Sequence, residues 1–233
     1  MRVKGLQKTT LIDFPGLIAC TAFTPGCNFK CGFCYNAGIV FDDKGIKDIP
    51  EKEFFEFLEK RKKVLEGVVV SGGEPTMQKD LPEFLARVKS LGFKAKLDTN
   101  GSNPEMLKEI LDKNLADYIA MDIKGTFENY ERICGVKVEL EKIKQSIELL
   151  KSSKIDYEFR TTLHPKLQEK QDIEKIGEAV KGAKLIVLQQ FSAVEGLIDE
   201  KLAEERLFSR EDFEEFGKIL EKSVKKVEFR NLD

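Results

Sequence analysis

The chain has 233 residues, enough for one larger α/β domain or two small ones, with a core that needs no disulfide staples. Its 39 basic and 41 acidic residues give a net charge of −2, which excludes a broad electrostatic footprint for nucleic acid, and its longest apolar runs are far too short to span a bilayer. With no apolar h-region in "MRVKGLQKTT" and an odd five cysteines, three of them clustered, the chain is expected to be cytoplasmic, with thiols free to bind metal.

Short β-rich runs alternate with helix-period runs along most of the chain. The first strand is predicted over 17–23, "LIACTAF", and runs into "TPGCNFKCGFCYN" at 24–36. Phe54, Phe55, Leu58 and Leu65 then recur at helical spacing, before a second strand over 67–72 that ends in "SGGEP" at 71–75. Leu81, Phe84, Leu85, Val88 and Leu91 mark the next helix, and "FKAKLD" at 93–98 the third strand, ending in "DTNGS". Asn103 followed by Pro104 offers an N-cap and a proline at the first helical position for a helix carrying Met106, Leu107, Ile110 and Leu111. A strand over 117–124 ends in "MDIK", where Asp122 and Lys124 are two apart and share a face. Leu140, Ile143, Ile147 and Leu150 form a helix, "DYEFRTTL" at 156–163 a strand with Arg160, Ile173, Ile176 and Val180 a helix, and "KLIVLQQF" at 184–191 a strand.

No linker divides the chain, so residues 1–191 read as one core. Residues 192–233 read as an extension packed on it, with a helix and a short edge strand, "KVEFRN". Ser209 with Asp212 resembles a capping box opening that helix, which carries Phe213, Phe216, Ile219 and Leu220.

Six strand-then-helix units predict a parallel sheet with right-handed crossovers, either a partial barrel or a flat doubly wound sheet. In both, functional groups collect at the carboxyl ends of the strands. Those ends carry Cys27, Cys31 and Cys34, then Gly72, Gly73 and Glu74, then Asp98, then Asp122 with Lys124, while Arg160 lies within the fifth strand. Charges that near a core are costly unless paired or bound to a ligand. Three thiolates can hold three irons of a four-iron cubane and leave the fourth iron open, as a reactive metal site requires. Cys20 and Cys134 read as ordinary buried residues and His164 as a loop residue.

The C-x3-C-x2-C spacing after a first strand, with Phe33 before the last cysteine and a "GGEP" turn after the second strand, resembles the radical S-adenosylmethionine superfamily. The resemblance implies a partial (β/α)6 TIM-like barrel, a [4Fe–4S] cluster on Cys27, Cys31 and Cys34, and S-adenosylmethionine on the open iron. It also implies that Glu74 accepts from the methionine amino group, with Gly72 and Gly73 letting the backbone come close to the ligand. Asp98, Thr99, Asn100 and Asp122 would lie at the ligand's carboxylate end or at a nearby monovalent cation, Lys124 would pair with the carboxylate, and Arg160 would join them.

"TTLIDFPG" at 9–16, "LDTNGS" at 97–102 and "MDIK" narrow the likeness to activating enzymes of glycyl radical enzymes, with the activase of anaerobic ribonucleoside-triphosphate reductase nearest in pattern. That implies reductive cleavage of S-adenosylmethionine, hydrogen abstraction from a glycine of a partner enzyme, a reducing donor such as flavodoxin or ferredoxin, and Asp13 near the partner-binding mouth. One departure stands out: the last strand offers Gln189, Gln190 and Phe191 where related activases carry a histidine near the ribose. No cysteine lies between 35 and 66, so the extra ferredoxin-like clusters of some activases are not expected. The competing readings are a radical enzyme acting on a small molecule, as a deazapurine synthase does, and a zinc-binding module with a distant fourth ligand.

Overall fold

The computed structural model describes residues 1–204 and 206–232. In chain order these residues form β1 (Gly5–Thr10), β2 (Ala19–Thr24), α1 (Ala37–Val40), α2 (Glu51–Arg61), β3 (Gly67–Gly72), α3 (Leu81–Ser90), β4 (Lys94–Thr99) and α4 (Pro104–Asp112). They continue with β5 (Tyr118–Asp122), α5 (Tyr130–Cys134), α6 (Leu140–Ser152), β6 (Asp156–Leu163), α7 (Lys170–Ala179), β7 (Ile186–Gln190), α8 (Arg210–Leu220) and β8 (Val227–Arg230).

All eight strands lie in one sheet in the order of the chain. β1 is antiparallel to β2, and every later neighbour is parallel. A doubly wound sheet reverses its strand order at a switch point; here the order never reverses. The sheet is therefore an arc of a barrel, with β1 and β8 as its unjoined edges, which decides between the two architectures left open by the sequence pattern.

The six predicted strands are present, within two or three residues at their ends, and "KVEFRN" supplies the edge strand β8. β1 is the strand that periodicity missed. "GLQKTT" has one large apolar residue and is held by its ladder to β2, from Gly5 opposite Phe23 to Thr10 opposite Ala19. Cross-strand pairing of that kind leaves no local pattern to read. The predicted caps form: the Asn103 side chain accepts from the Met106 N–H at 3.1 Å, and Ser209 and Asp212 make a reciprocal capping box.

The two faces of the arc differ. On the outer face Val68, Val70, Leu97, Ile119, Phe159 and Leu188 are fully buried against helix residues such as Phe54, Leu58, Leu85, Leu107, Ile147 and Ile176. Burying each large apolar side chain stabilises the fold by about 1.5–3 kcal/mol. The alternate positions face inward and carry most of the sheet's polar side chains, Thr21, Lys96, Asp98, Tyr118, Asp122, Glu158 and Arg160, beside apolar ones such as Val69, Ala120 and Val187. Glu158 is wholly buried, accepting from both Arg230 terminal nitrogens at 2.7 and 2.6 Å and from the Tyr118 hydroxyl at 2.9 Å. That ion pair spans from β6 past β7 to β8. α8 packs beside α7, and Gly217 lies under the Phe229 ring of β8.

Candidate active site

Because β2 to β6 run parallel, their carboxyl ends share one rim. The chain leaves β2 through Gly26, whose φ of +81° favours glycine, and enters the cysteine loop. The turn after β3 is bolted to that loop by Gly73 N–H donating to Thr24 O at 2.9 Å and Glu74 N–H to Gly26 O at 2.8 Å. A Cβ on Gly72 would fall 2.3 Å from Thr24 N, and one on Gly73 only 1.8 Å from Gly26 O. The close approach that demands glycine is therefore to the cysteine loop's own backbone, in addition to any approach to a ligand.

Two further segments hold the loop. Lys30 N–H donates to Cys134 O at 2.7 Å, at the end of α5. From the extension, Ile198 N–H donates to Cys34 O at 3.0 Å and Asp199 N–H to Gly32 O at 2.9 Å, while Gly196 O accepts from Ala37 N–H at 3.4 Å.

Inside the rim is a cavity of about 290 Å³. Every residue singled out from the sequence lines it: the three cysteines, Phe33, Gly72, Gly73, Glu74, Asp98, Thr99, Asn100, Asp122, Lys124 and Arg160. Asp13 also reaches it, accepting from the Thr21 hydroxyl at 2.7 Å, and Gln189, Gln190 and Phe191 stand where the histidine is expected.

Glu74 is 1% exposed, and its two oxygens are used unequally. Oε1 accepts from the Thr76 N–H at 3.1 Å, the Thr76 hydroxyl at 2.5 Å and the Thr99 hydroxyl at 2.7 Å, whereas Oε2 accepts only from the Asn100 N–H at 2.7 Å. Burial pushes its pKa up against these four donors.

Asp98, Asp122, Lys96, Lys124 and Arg160 form a continuous ladder of charge. Lys96 Nζ donates to Asp98 Oδ1 at 2.6 Å and Lys124 Nζ to Asp122 Oδ2 at 2.8 Å. Arg160 lies between the acids, with Nε 2.8 Å from Asp122 Oδ1 and one terminal nitrogen 3.4 Å from Asp98 Oδ2. Burial pushes both carboxyls up, and the charge of Arg160, seconded by Lys96 at Asp98 and Lys124 at Asp122, more than reverses it. Both acids end below the usual carboxylate range. Burial pushes Lys124 down, but the charge of Asp122 and its hydrogen bond, together with the neighbouring Cys31, more than reverse this and hold it above its ordinary range.

The thiols of Cys27, Cys31 and Cys34 are free. Burial, reinforced by the charge of Glu74, pushes Cys27 up to about 12 in the absence of metal, and burial also raises Cys34. Cys134 does not line the cavity, yet it stands behind Cys31. A hydrogen bond between the two side chains lowers Cys31 and raises Cys134. The sequence pattern separates Cys134 from the triplet; α5 brings it back. No three Cys, His, Asp or Glu side chains among the described residues converge as they would on a single ion, and three thiols spaced around a cavity suit the corners of a larger cluster.

Lys96, which pairs with Asp98 without lining the cavity, is the member of the charge ladder that sequence reasoning missed. Its signal was available, since Lys96 and Asp98 are two apart in "KAKLD" and so share a strand face, as Asp122 and Lys124 do. Cys20 is buried in β2 as expected. His164 is also buried, its Nε2 3.0 Å from Leu202 O and its ring edge-on to Phe191, outside the cavity lining. No helix among the described residues is long and apolar enough to cross a membrane.

Comparison with known proteins fits this geometry. The family pattern described as Radical SAM superfamily matches residues 21–180. Over 239 residues, spanning 99% of this chain and 96% of the relative, the chain is 34% identical to a Methanocaldococcus jannaschii protein with the provisional name glycyl-radical enzyme activating enzyme. It is 33% identical over 134 residues, 53% of each protein, to a pyruvate formate-lyase-activating enzyme of Listeria monocytogenes. In fold it is similar to Streptococcus suis SuiB bound to the precursor peptide SuiA, with a TM-score of 0.69 at 16% identity over 90% of this chain and 47% of that one. With the strand order, the shared rim and this match over most of its length, the chain belongs to the radical S-adenosylmethionine superfamily of enzymes.

Proposed function

We propose that the protein is an activase that cleaves S-adenosylmethionine reductively and installs a glycyl radical on a partner enzyme, with anaerobic ribonucleoside-triphosphate reductase as that partner. Membership of the superfamily implies a [4Fe–4S] cluster and S-adenosylmethionine. The observation that carries the reading is that three free thiols and a buried ladder of acids and cations open on one cavity. A protein partner is supported by likeness across nearly the whole chain to a protein that bears an activating-enzyme name.

When bound, the cluster and S-adenosylmethionine supply the hard step, cleavage to methionine and a 5′-deoxyadenosyl radical. The chain's own residues bind, orient and exclude water. Cys27, Cys31 and Cys34 would hold three irons. Glu74 would meet the methionine amino group through Oε2, which keeps a free acceptor site while Oε1 is saturated. Lys124 would meet the carboxylate, since an ammonium has three N–H donors and Asp122 takes one. A monovalent cation at the same place would have to compete with Arg160 for Asp98 and Asp122.

The test is anaerobic reconstitution with iron and sulfide, then dithionite and S-adenosylmethionine. 5′-Deoxyadenosine should form, and Cys31→Ala should abolish both its formation and stable iron loading. Co-incubation with the reductase should then give a glycine-centred radical signal. Cleavage without such a signal in any glycyl radical enzyme would favour a small-molecule substrate, and no cleavage at all would overturn the reading.

A further inference from the structure

The ladder of charge decides which ions the place between Asp98 and Asp122 accepts. All four oxygens of Asp98 and Asp122 already face a cationic donor of the chain: Lys96 and Arg160 at Asp98, Arg160 and Lys124 at Asp122. Lys96, Lys124 and Arg160 against two carboxylates leave one positive charge in excess. Both acids keep their protons off well below neutrality, so the surplus persists at physiological pH. Glu158, the next acid along β6, adds no free negative charge because Arg230 neutralises it. A metal ion entering between the two acids would displace an arginine and meet two ammonium groups. An anionic carboxylate would be attracted there.

The architecture fixes Arg160 in this role. Arg160 lies directly across the ladder from Asp122 on β5, and its guanidinium extends past β5 to Asp98 on β4. A planar fork with five donors can hold two carboxylates at once, whereas an ammonium is a point charge. β4 and β5 are thereby tied by side chains at the level where the ligand's carboxylate end would sit.

We propose that Arg160 is a built-in substitute for a monovalent cation, bridging Asp98 and Asp122 so that S-adenosylmethionine binds this protein without K⁺ or Na⁺. The inference rests on the cofactor reading above and concerns a positioning residue. It gives the site a preference for the carboxylate of its ligand over free metal ions.

The test is equilibrium binding of S-adenosylmethionine to the anaerobically reconstituted protein in choline, sodium and potassium chloride at equal ionic strength. The wild-type Kd is expected to agree within about twofold across the three salts, and Arg160→Gln to weaken binding about tenfold or more in choline while regaining most of it in potassium or sodium. Arg160→Lys should fall between, because one ammonium reaches one carboxylate well. Iron content and the thermal unfolding midpoint of each variant are read alongside, and the wild-type comparison stands even if a variant does not fold. Wild-type binding that tightens about tenfold with potassium or sodium would overturn the inference, as would an Arg160→Gln defect that no cation relieves. Absence of binding in every salt would instead overturn the cofactor reading along with it.

Discussion

Glu74 and Asn100, 26 residues apart in the chain, are joined by a 2.7 Å hydrogen bond from the Asn100 backbone N–H to Glu74 Oε2. The Asn100 side chain in turn donates to Asn28 Oδ1 at 2.9 Å and lies 3.9 Å from Cys27 Sγ. One buried carboxylate thus connects the ends of β3 and β4 to the cysteine loop. In Glu74→Gln an amide N–H would face donors where a carboxylate now accepts. The loss should be about 1–3 kcal/mol in urea unfolding of the apoprotein, with a parallel drop in iron retained after reconstitution. An unchanged urea midpoint would show that Glu74 does not hold the rim.

The glycine turn makes a steric prediction. At Gly73, whose φ is not positive, a Cβ would lie 1.8 Å from Gly26 O, whereas at Gly92, which has a positive φ of 90°, nothing lies within 4 Å. Gly92→Ala should cost about 1–2 kcal/mol through its left-handed backbone alone. Gly73→Ala should cost more than that and should also reduce cluster loading, because the cysteine loop must move. Equal losses at the two positions, or normal iron content in Gly73→Ala, would remove the steric account.

Arg230 anchors the edge strand through a wholly buried acid. Arg230→Ala leaves Glu158 with the Tyr118 hydroxyl as its remaining partner, and breaking a buried pair from one side costs about 3–5 kcal/mol. Replacing both partners, Arg230→Met with Glu158→Leu, should recover much of that stability. Chemical denaturation of the single and double variants separates a lost pair from lost packing of β8. A double variant no better than the single one would point to packing.

The acids of the ladder set an acid limb. Asp98 and Asp122 titrate lower in the folded chain than the value of about 3.9 in an unfolded one. A depressed carboxyl stabilises the fold above its unfolded pKa, and that contribution is lost as pH falls through the folded pKa. Their contribution should therefore be constant above about pH 5 and decline below about pH 4. The stability gap between wild type and Asp122→Asn should be widest at neutral pH and close on acidification. Urea midpoints from pH 3 to 7 measure it, and a gap that stays constant to pH 3 would contradict the assigned direction.

Much of the site was legible because its chemistry is local in sequence. Cys27, Cys31 and Cys34 fall within eight positions, "SGGEP" and "MDIK" are contiguous, and period-two spacing puts Asp122 and Lys124 on one face before any fold is known. The strands that carry them were equally legible, since β3, β5 and β7 are apolar runs and the intervening helices keep a period near 3.6. β1 was not, because a strand stabilised by its neighbour needs no pattern of its own.

By itself, then, the sequence determined the alternating β/α plan, the clustering of three cysteines after the first predicted strand and the strand ends at which charge collects. The tertiary structure decided three other things. It chose the open barrel arc over a doubly wound sheet, through a strand order that no local pattern encodes. It brought Cys134 behind Cys31, and it placed Arg160 between two acids lying 62 and 38 residues before it in the chain. Each of these depends on which strands and helices become neighbours. That is settled by burying the outer face of the whole sheet at once, and not by any window of residues along it.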